Sequence, residues 1–546
     1  MTAATTVPAI GRPTTSAGRN AGVVTMIGLT LRTGWKPYAI WVVSIVVGYL
    51  ATVAAIDSTF TTAEQFESYG ATFAGDKALA AINGIPYGAT TLGGVSANEF
   101  AFIAALAFPL MATHLILRAT RGPEESGLLE LVRSRCVARW APAVAATILA
   151  LGAFALVAFG VWFSLLGYGV SAGSSALYAW SLAGLGTVWT GVALCIAQWV
   201  RRVGKAYATS LVVLGAAYGF RAIGDVRDTA WKWLSPLAWQ QETRPFAPDA
   251  RWWPLALALA VAVALIAVGW WQAATRDIGS GLFTSRPGGE RAGLIAGSTV
   301  GRAIAEHRGS ILGWTAGGLA VAIVFGALVH DVSDAVAGNP SIGEALGDGG
   351  ARGQAVDLYV ALTVVILVLM AGGFVISAVG RLRADETGGR LETTLAQPIS
   401  RPAWFGAEIL VIGLGMVVVT LVPVLALGLV VAGQLSDGSE IGHILMAGID
   451  YLPAIAVLAG FALLLFGWLP RWQSLAWLLL GYTTAIAFLG GILDLPDAVL
   501  RLSPMYSVGD VPLDDVSVTG VLVLAVVAVL LVGVSMVGFG RRDIPA

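Results

Sequence analysis

Apolar residues in this chain neither alternate nor recur at helical spacing; they run on for the width of a bilayer. Twelve such stretches stand out. In the first half they cover 37–56, 99–118, 140–167, 174–199, 205–221 and 253–273. In the second they cover 310–330, 357–380, 403–432, 441–469, 474–493 and 519–540. Each is long enough to cross a hydrocarbon core as an α-helix, which satisfies its own backbone where no water can. Composition agrees: 57% of residues are hydrophobic and 12% charged, with a mean hydropathy of +0.79. Soluble domains carry about 25% charged residues. The pattern predicts an all-α polytopic membrane protein of twelve transmembrane helices.

Two stretches are amphipathic instead. In GVVTMIGLTLRTGWK (22–36), Val24, Ile27, Leu31 and Trp35 share a helical face beside Arg32 and Lys36. That suits a helix lying in the membrane interface. A weaker counterpart holds Arg302, Glu306 and Arg308. Both serve at least as juxtamembrane anchors. The chain therefore divides into 1–36 (tail and amphipathic helix), 37–275 (first six-span unit), 276–309 (linker and second amphipathic helix) and 310–546 (second six-span unit). The first twenty residues, rich in Ala, Thr, Pro and Gly, predict a disordered cytoplasmic tail and not a signal peptide.

A net charge of −1 says nothing about partners, but its distribution sets orientation. With the N-terminus inside, 24 of the 32 basic residues fall in cytoplasmic segments, among them Arg118, Arg133, Arg201, Arg383 and Arg541. The outer segments are acidic, with Asp331, Asp334, Glu344 and Asp348 in one and Asp494, Asp497, Asp510, Asp514 and Asp515 in another. Both termini are then cytoplasmic. Cys136 and Cys195 fall on the reducing side, so no disulfide framework is expected.

Matching marks recur in the same order in both halves. Trp199 and Trp468 close the fourth and tenth spans. Leu234-Ser235-Pro236 and Leu502-Ser503-Pro504 lie outside the fifth and eleventh, and Arg276-Asp277-Ile278 and Arg542-Asp543-Ile544 follow the sixth and twelfth. Six is an even number of spans, so the pattern predicts two parallel repeats of one topology.

The most informative pair follows the second and eighth spans: RGPEESGLLELVRSR (121–135) and RLRADETGGRLETTLAQ (381–397). Each carries an acidic pair, Glu124-Glu125 or Asp385-Glu386, then Gly, then Leu-Glu. Pro123 suits a first helical turn, and the early carboxylates suit its positive end. Pro398 stops the later copy. Each predicts a helix of about two turns, too short to stand alone. As solvated loops the segments would need only the Arg. The repeated carboxylates point to docking, with Glu124, Glu125, Glu130, Arg133, Asp385, Glu386, Arg390 and Glu392 facing a cytoplasmic partner.

These segments, with Pro398-Ile399-Ser400-Arg401, resemble the first cytoplasmic loop of type-2 ABC exporter permeases. The twelve-span layout resembles permeases of actinobacterial exporters for polyketide and tetracycline-type drugs. The resemblance implies a coupling helix in each unit, near 122–135 and 385–397. It also implies two copies of a separate ABC ATPase binding ATP and Mg²⁺, an amphipathic or hydrophobic cargo, and a bacterial plasma-membrane location. SRCVAR (134–139) stands where the second half has QPISR, so docking is expected to differ between copies. No Walker motif occurs in the chain: Gly204-Lys205 precedes Ala206 and lacks the upstream Gly. No catalytic, cofactor, metal or nucleic-acid site is expected here.

Residues 380–390 also resemble the loop between the second and third spans of major-facilitator carriers, so a proton-coupled drug antiporter is the alternative. The first outer segment, 57–98, the interface helices and the repeated Leu-Ser-Pro argue against it. Such a carrier also needs buried acidic groups. Asp450 in the tenth span and Glu408 at the start of the ninth qualify by position. Asp450 reads equally as functional or as hydrated near the interface, and Glu408 as snorkelling or ion-paired. Glu99 and Asp357 read as helix starts. In the resembled fold, spans two and five line the transport path, which implies Phe102, Phe108, Tyr207, Tyr218 and Phe220 as lining, with Asp450 in span ten. Ordinary packing is the plainer reading of any one of these aromatics.

Overall fold

The apolar stretches fold as helices, and no strand occurs among the described residues. This computed structural model describes residues 22–73, 77–134, 137–281, 297–327, 329–330, 351–489, 496–509, 511 and 516–543. Arg135, Cys136, Asp331, Asp334, Glu344, Asp348, Asp494, Asp510, Asp514, Asp515 and Ile544 lie outside them. The chain divides into Met1–Pro287 and Gly288–Ala546.

In the first unit, the amphipathic stretch and the first span form one helix, α1 (Val23–Thr59). Gly34 breaks its geometry with φ −150° and ψ 31°, and Pro37 follows without an N–H for the helical ladder. The kink separates the amphipathic turns from the apolar ones. Helices α2 (Ala63–Phe73) and α3 (Lys77–Ile82) fold the segment before the second span. That span, α4 (Leu92–Ala119), starts earlier than hydropathy predicts because Thr91 caps it, accepting from the Gly94 N–H at 3.1 Å. Glu99 therefore lies inside α4, where it accepts a hydrogen bond from Tyr69. The unit continues with α5 (Arg121–Glu125), α6 (Leu128–Arg133), α7 (Ala141–Gly167), α8 (Ala172–Trp199), α9 (Val203–Arg227), α10 (Pro236–Gln241) and α11 (Trp253–Thr275).

The second unit holds α12 (Thr299–Ala327), α13 (Ala351–Thr387), α14 (Arg390–Leu395), α15 (Arg401–Leu435), α16 (Ser439–Asp450), α17 (Leu452–Trp468), α18 (Leu475–Leu489), α19 (Asp497–Leu500) and α20 (Val518–Arg541). Asp357 is the seventh residue of α13 and does not start it.

Among the described residues, eleven helices are long and apolar enough to cross a membrane. Of the twelve expected spans, the eleventh is described only in part, as α18, because residues 490–495 lie outside the described residues. The tenth is broken at Tyr451, just before Pro453, into α16 and α17. Asp450 is thus the last residue of a helix, half-buried beside the break.

Corresponding helices pack in the same pairs in each unit: α1 on α7 and α12 on α15, α8 on α11 and α17 on α20, α4 on α8 and α13 on α17. In a bilayer, lipid is as apolar as leucine, so small residues that let backbones approach carry such packing. A Cβ on Gly467 of α17 would lie 2.6 Å from the Ser535 carbonyl of α20. The second unit's core adds a ring cluster in which Phe539 meets Phe405 at 4.7 Å and Phe466 at 5.6 Å. We call the end of each unit that carries residues 120–140 or 387–400 its connector end, and the opposite end its far end.

Candidate functional site

The first connector is not a free helix with carboxylates turned to solvent. Glu124 is folded against the ends of three spans. It takes a paired contact from Arg276, at 2.9 and 2.8 Å, and accepts from the Gly279 N–H at 2.7 Å. Arg121, fully buried, lies 3.2 Å from the same carboxylate. It also donates to the Ala197, Gln198 and Ser280 carbonyls. Arg276 completes the knot by donating to the Gln198 amide oxygen at 3.0 Å. Two-pronged Arg–carboxylate contacts of this kind fix geometry as well as adding energy. The knot ties the connector to the ends of α4, α8 and α11. Glu125 is exposed but also engaged: it accepts from the Val203 N–H at 2.9 Å, at the positive end of α9.

The second connector has the same plan in a different register. Span helix α13 runs on through Asp385 and Glu386, so these carboxylates sit at a helix C-terminus, where the macrodipole disfavours them. Cations offset this. Glu386 meets Arg383 at 3.0 Å and Arg542 at 3.1 Å with its side chain 1% exposed. Arg542 also lies 5.2 Å over the Phe466 ring. Asp385 pairs with Arg390 instead. Gly127 (φ 77°) and Gly389 (φ 71°) make the same left-handed turn, 262 residues apart. The buried Leu129 and Leu391 keep that spacing, and so do Glu124 and Glu386. Pairing Glu124-Glu125 with Asp385-Glu386, as the sequence invites, is therefore one residue out.

The clamps fill the inner face of each connector and leave different outer faces. In the first, Leu128 is 58% exposed and Leu131 71%. The residues 262 later are Arg390 and Thr393, both exposed. Glu130 and Glu392 are exposed in both; the Arg133 side chain lies outside the described residues. Pro-x-Ser-Arg has a local job. Ser400 caps α15, accepting from the Ala403 N–H at 3.3 Å, and Arg401 donates to the Arg542 carbonyl at 2.8 Å. In the first unit, Trp140 precedes α7 without a side-chain cap.

The aromatics of spans two and five divide. Phe108 is fully buried, stacked on Phe154 at 5.8 Å, and belongs to the core. Phe102 meets Tyr218 edge-on at 6.3 Å. Tyr207 shares a 3.5 Å contact with His114, and Phe220 stacks on Trp231 at 5.9 Å.

Among the described residues, buried charge occurs at three further places. Glu408, 0% exposed, meets His307 at 3.0 Å and Arg302 at 3.2 Å, which ties α12 to α15. Ala146, 262 residues earlier, is buried among apolar residues. At the far end of the first unit, Arg221 lies 3.6 Å from Asp225 and donates to the Ala81 and Ile82 carbonyls at the end of α3. Beyond it, buried Glu242 takes contacts from Lys232 (2.7 Å), Arg244 (2.7 Å) and Arg251 (3.6 Å). Burial would push the Glu242 carboxyl up, but the hydrogen bonds from Lys232 and Arg244 outweigh it and hold the group below its ordinary range. Sequence reading missed Arg221 and Asp225 because it ended the fifth span at 221. An Arg and an Asp one turn apart at a span's end was the available signal.

Two comparisons bear on this arrangement. A family model described as the C-terminal domain of multidrug efflux system permease Rv1217c matches residues 297–540. The chain is also 32% identical over 530 residues to the multidrug efflux system permease protein Rv1217c of Mycobacterium tuberculosis (strain ATCC 25618 / H37Rv). That alignment covers 96% of this chain and 95% of that protein.

Proposed function

Because this chain belongs to the family of that multidrug efflux permease, we propose that it is the transmembrane subunit of an ATP-driven exporter of amphipathic or hydrophobic compounds. Two copies of a separate cytoplasmic ABC ATPase would bind ATP and Mg²⁺ and dock on the connectors. Both termini and both connectors then face the cytoplasm, as the distribution of Lys and Arg favours. The two units act as parallel repeats that rock between inward-open and outward-open states.

The observation that carries this reading is the paired Glu–Arg clamp, Glu124 with Arg276 and Glu386 with Arg542. A short helix that must receive a push cannot be a loose loop. Each clamp makes the connector one piece with the ends of its own unit's spans, so force on the connector moves those spans together. Exposed groups remain for a partner: Leu128 and Leu131 in one copy, Glu392 and Thr393 in the other, while Arg390 is already paired with Asp385.

The test is co-purification. Leu128→Ser with Leu131→Ser, and separately Glu392→Lys, should release a bound ATPase while leaving the melting temperature unchanged. A complex that stays intact and active in both variants sinks the docking role. One observation favours the proton-coupled alternative: Asp225 and Glu408 are buried titratable groups inside membrane-length helices. In reconstituted vesicles, export that runs without ATP and collapses with an uncoupler would establish that alternative.

A further inference from the structure

Helices α1 and α9 both pack on α4. At the connector end they leave a groove between them, floored by α4. His114 of α4 marks its middle: the ring of Trp41 on α1 and the ring of Tyr207 on α9 each lie 6.4 Å from it. One turn nearer the connector stands Arg118, exposed. The kink of α1 makes room for it, since a Cβ on Gly34 would lie 3.6 and 3.7 Å from Nη2 and Nε of the guanidinium.

The groove offers donors and lacks an acceptor. Arg118 has no ion pair or hydrogen bond among the described residues, in contrast to the clamp arginines. Its charge acts on Tyr38, His114 and Tyr207, and no described carboxylate acts on any of the three. Tyr38, one turn along α1 from Gly34, is 9% exposed and its hydroxyl has no partner. A buried polar group left unmade is costly, so a donor of this kind beside an unpaired cation points to a missing anion. The surrounding charge agrees. Glu124 is held by Arg121 and Arg276, and Asp277 by Arg139. That leaves Glu125 and Glu130 against Arg32, Lys36, Arg118, Arg201, Arg202 and Lys205, all exposed.

An unpaired Arg at a span's end could serve topology alone. The second unit argues against that reading. Ile376 and Gly380 stand 262 residues after His114 and Arg118, the spacing of the two connectors, and Ala476 stands 269 after Tyr207, the spacing of Trp199 and Trp468. Arg381, one residue further on, acts on a carboxylate, Glu306. The groove's chemistry thus belongs to the first unit. Its place says what covers it. Lys36 and Lys205 begin spans one and five and Arg118 ends span two, so the groove lies at the level where lipid phosphates sit. Its walls, α1 and α9, are the least buried spans of the first unit. Basic recesses between spans at such a boundary suit anionic head groups.

We propose that this groove binds the phosphate of an anionic phospholipid, held by Arg118 with His114 and Tyr38. Head-group selectivity does not depend on what drives transport; only the assignment to the cytoplasmic leaflet rests on the orientation proposed above. The test uses the full chain in detergent, titrated with phosphatidylglycerol or phosphatidylcholine of the same acyl chains and followed by native mass spectrometry. One phosphatidylglycerol should bind ahead of all others, and neither phosphatidylcholine nor inorganic phosphate should displace it. Arg118→Gln removes an exposed side chain that has no partner, so the melting temperature should hold while affinity falls about tenfold, the worth of a charged hydrogen bond. Tyr38→Phe should weaken it about threefold. Arg139→Gln removes the same charge from the same end but outside the groove, and should leave the affinity unchanged. Displacement by phosphatidylcholine or by inorganic phosphate, unchanged affinity in a folded Arg118→Gln or Tyr38→Phe protein, or an equal loss in Arg139→Gln would each overturn the assignment. None of these outcomes touches the ATPase-docking test.

Discussion

The two connectors share a skeleton and differ in their skin. Each turns at a left-handed glycine, buries one leucine, and closes a glutamate onto an arginine that follows its unit's last span. What each leaves exposed differs: two leucines in the first, an arginine and a threonine in the second. Shared parts are those that hold the connector to the helices. Divergent parts are those on the outer face, away from the span ends, where among the described residues only Arg390 has an ion-pair partner, Asp385. A carboxylate repeated in sequence is thus better evidence of an internal tie than of an outward contact.

Breaking a clamp should have the largest effect. Glu124→Ala leaves Arg121 and Arg276 together without a counter-charge, and removing one partner of a buried pair costs about 3–5 kcal/mol. Glu386→Ala should cost less, because Arg383 is 26% exposed and can turn to water. Thermal melts of the two variants in one detergent give the order. Replacing both members, Glu386→Leu with Arg542→Leu, should be milder than Glu386→Ala alone, since no unpaired charge remains buried. If the double variant is the worse of the two, the clamp does more than balance charge.

The glycine turns come next. A Cβ at Gly127 or Gly389 would meet nothing within 4 Å, so alanine there tests backbone conformation alone. Left-handed geometry costs an L-residue about 1–2 kcal/mol, and the two substitutions should cost the same. Unequal losses of protection in the two connectors by hydrogen exchange would show that the turns are not equivalent. Ser400→Ala should cost about 1 kcal/mol through a lost cap. Trp140→Ala in the first unit removes no side-chain cap and should show no comparable fraying at the start of α7.

Much of this was legible in the chain. Hydrophobic runs gave eleven helices of membrane length, because in lipid a helix is forced on almost any apolar sequence. The exception, 474–493, runs beyond the described residues after Leu489. Helix ends were the weak point throughout. Thr91 started α4 early, and α13 ran on through Glu386, which turned expected first-turn carboxylates into last-turn ones. Side-chain partners were less legible still. Arg276 and Arg542 were visible as repeated marks, but nothing in one dimension says that a residue 152 positions from Glu124 closes on it. Phe108 and Phe102 lie six residues apart on one helix, yet only packing separates the core ring from the half-buried one.

The smallest effect sets the far end of the first unit against its connector. Glu242 is held below its ordinary value of 4.5, so it adds stability that is fully present above that value and is lost as pH falls through the lower folded value. The net gain is small because burial opposes the charged form before Lys232 and Arg244 favour it. Acidification below 4.5 should loosen the ion cluster first, leaving Asp249 as the one carboxylate between Arg244 and Arg251 and opening residues 230–251 to hydrogen exchange. Glu242→Gln should lose protection there already at neutral pH and show little further change on acidification. The segment 496–509 of the second unit holds no described ion pair of this kind and should be indifferent over the same range. If 230–251 and 496–509 open together, the acid response belongs to the whole fold and not to the cluster around Glu242.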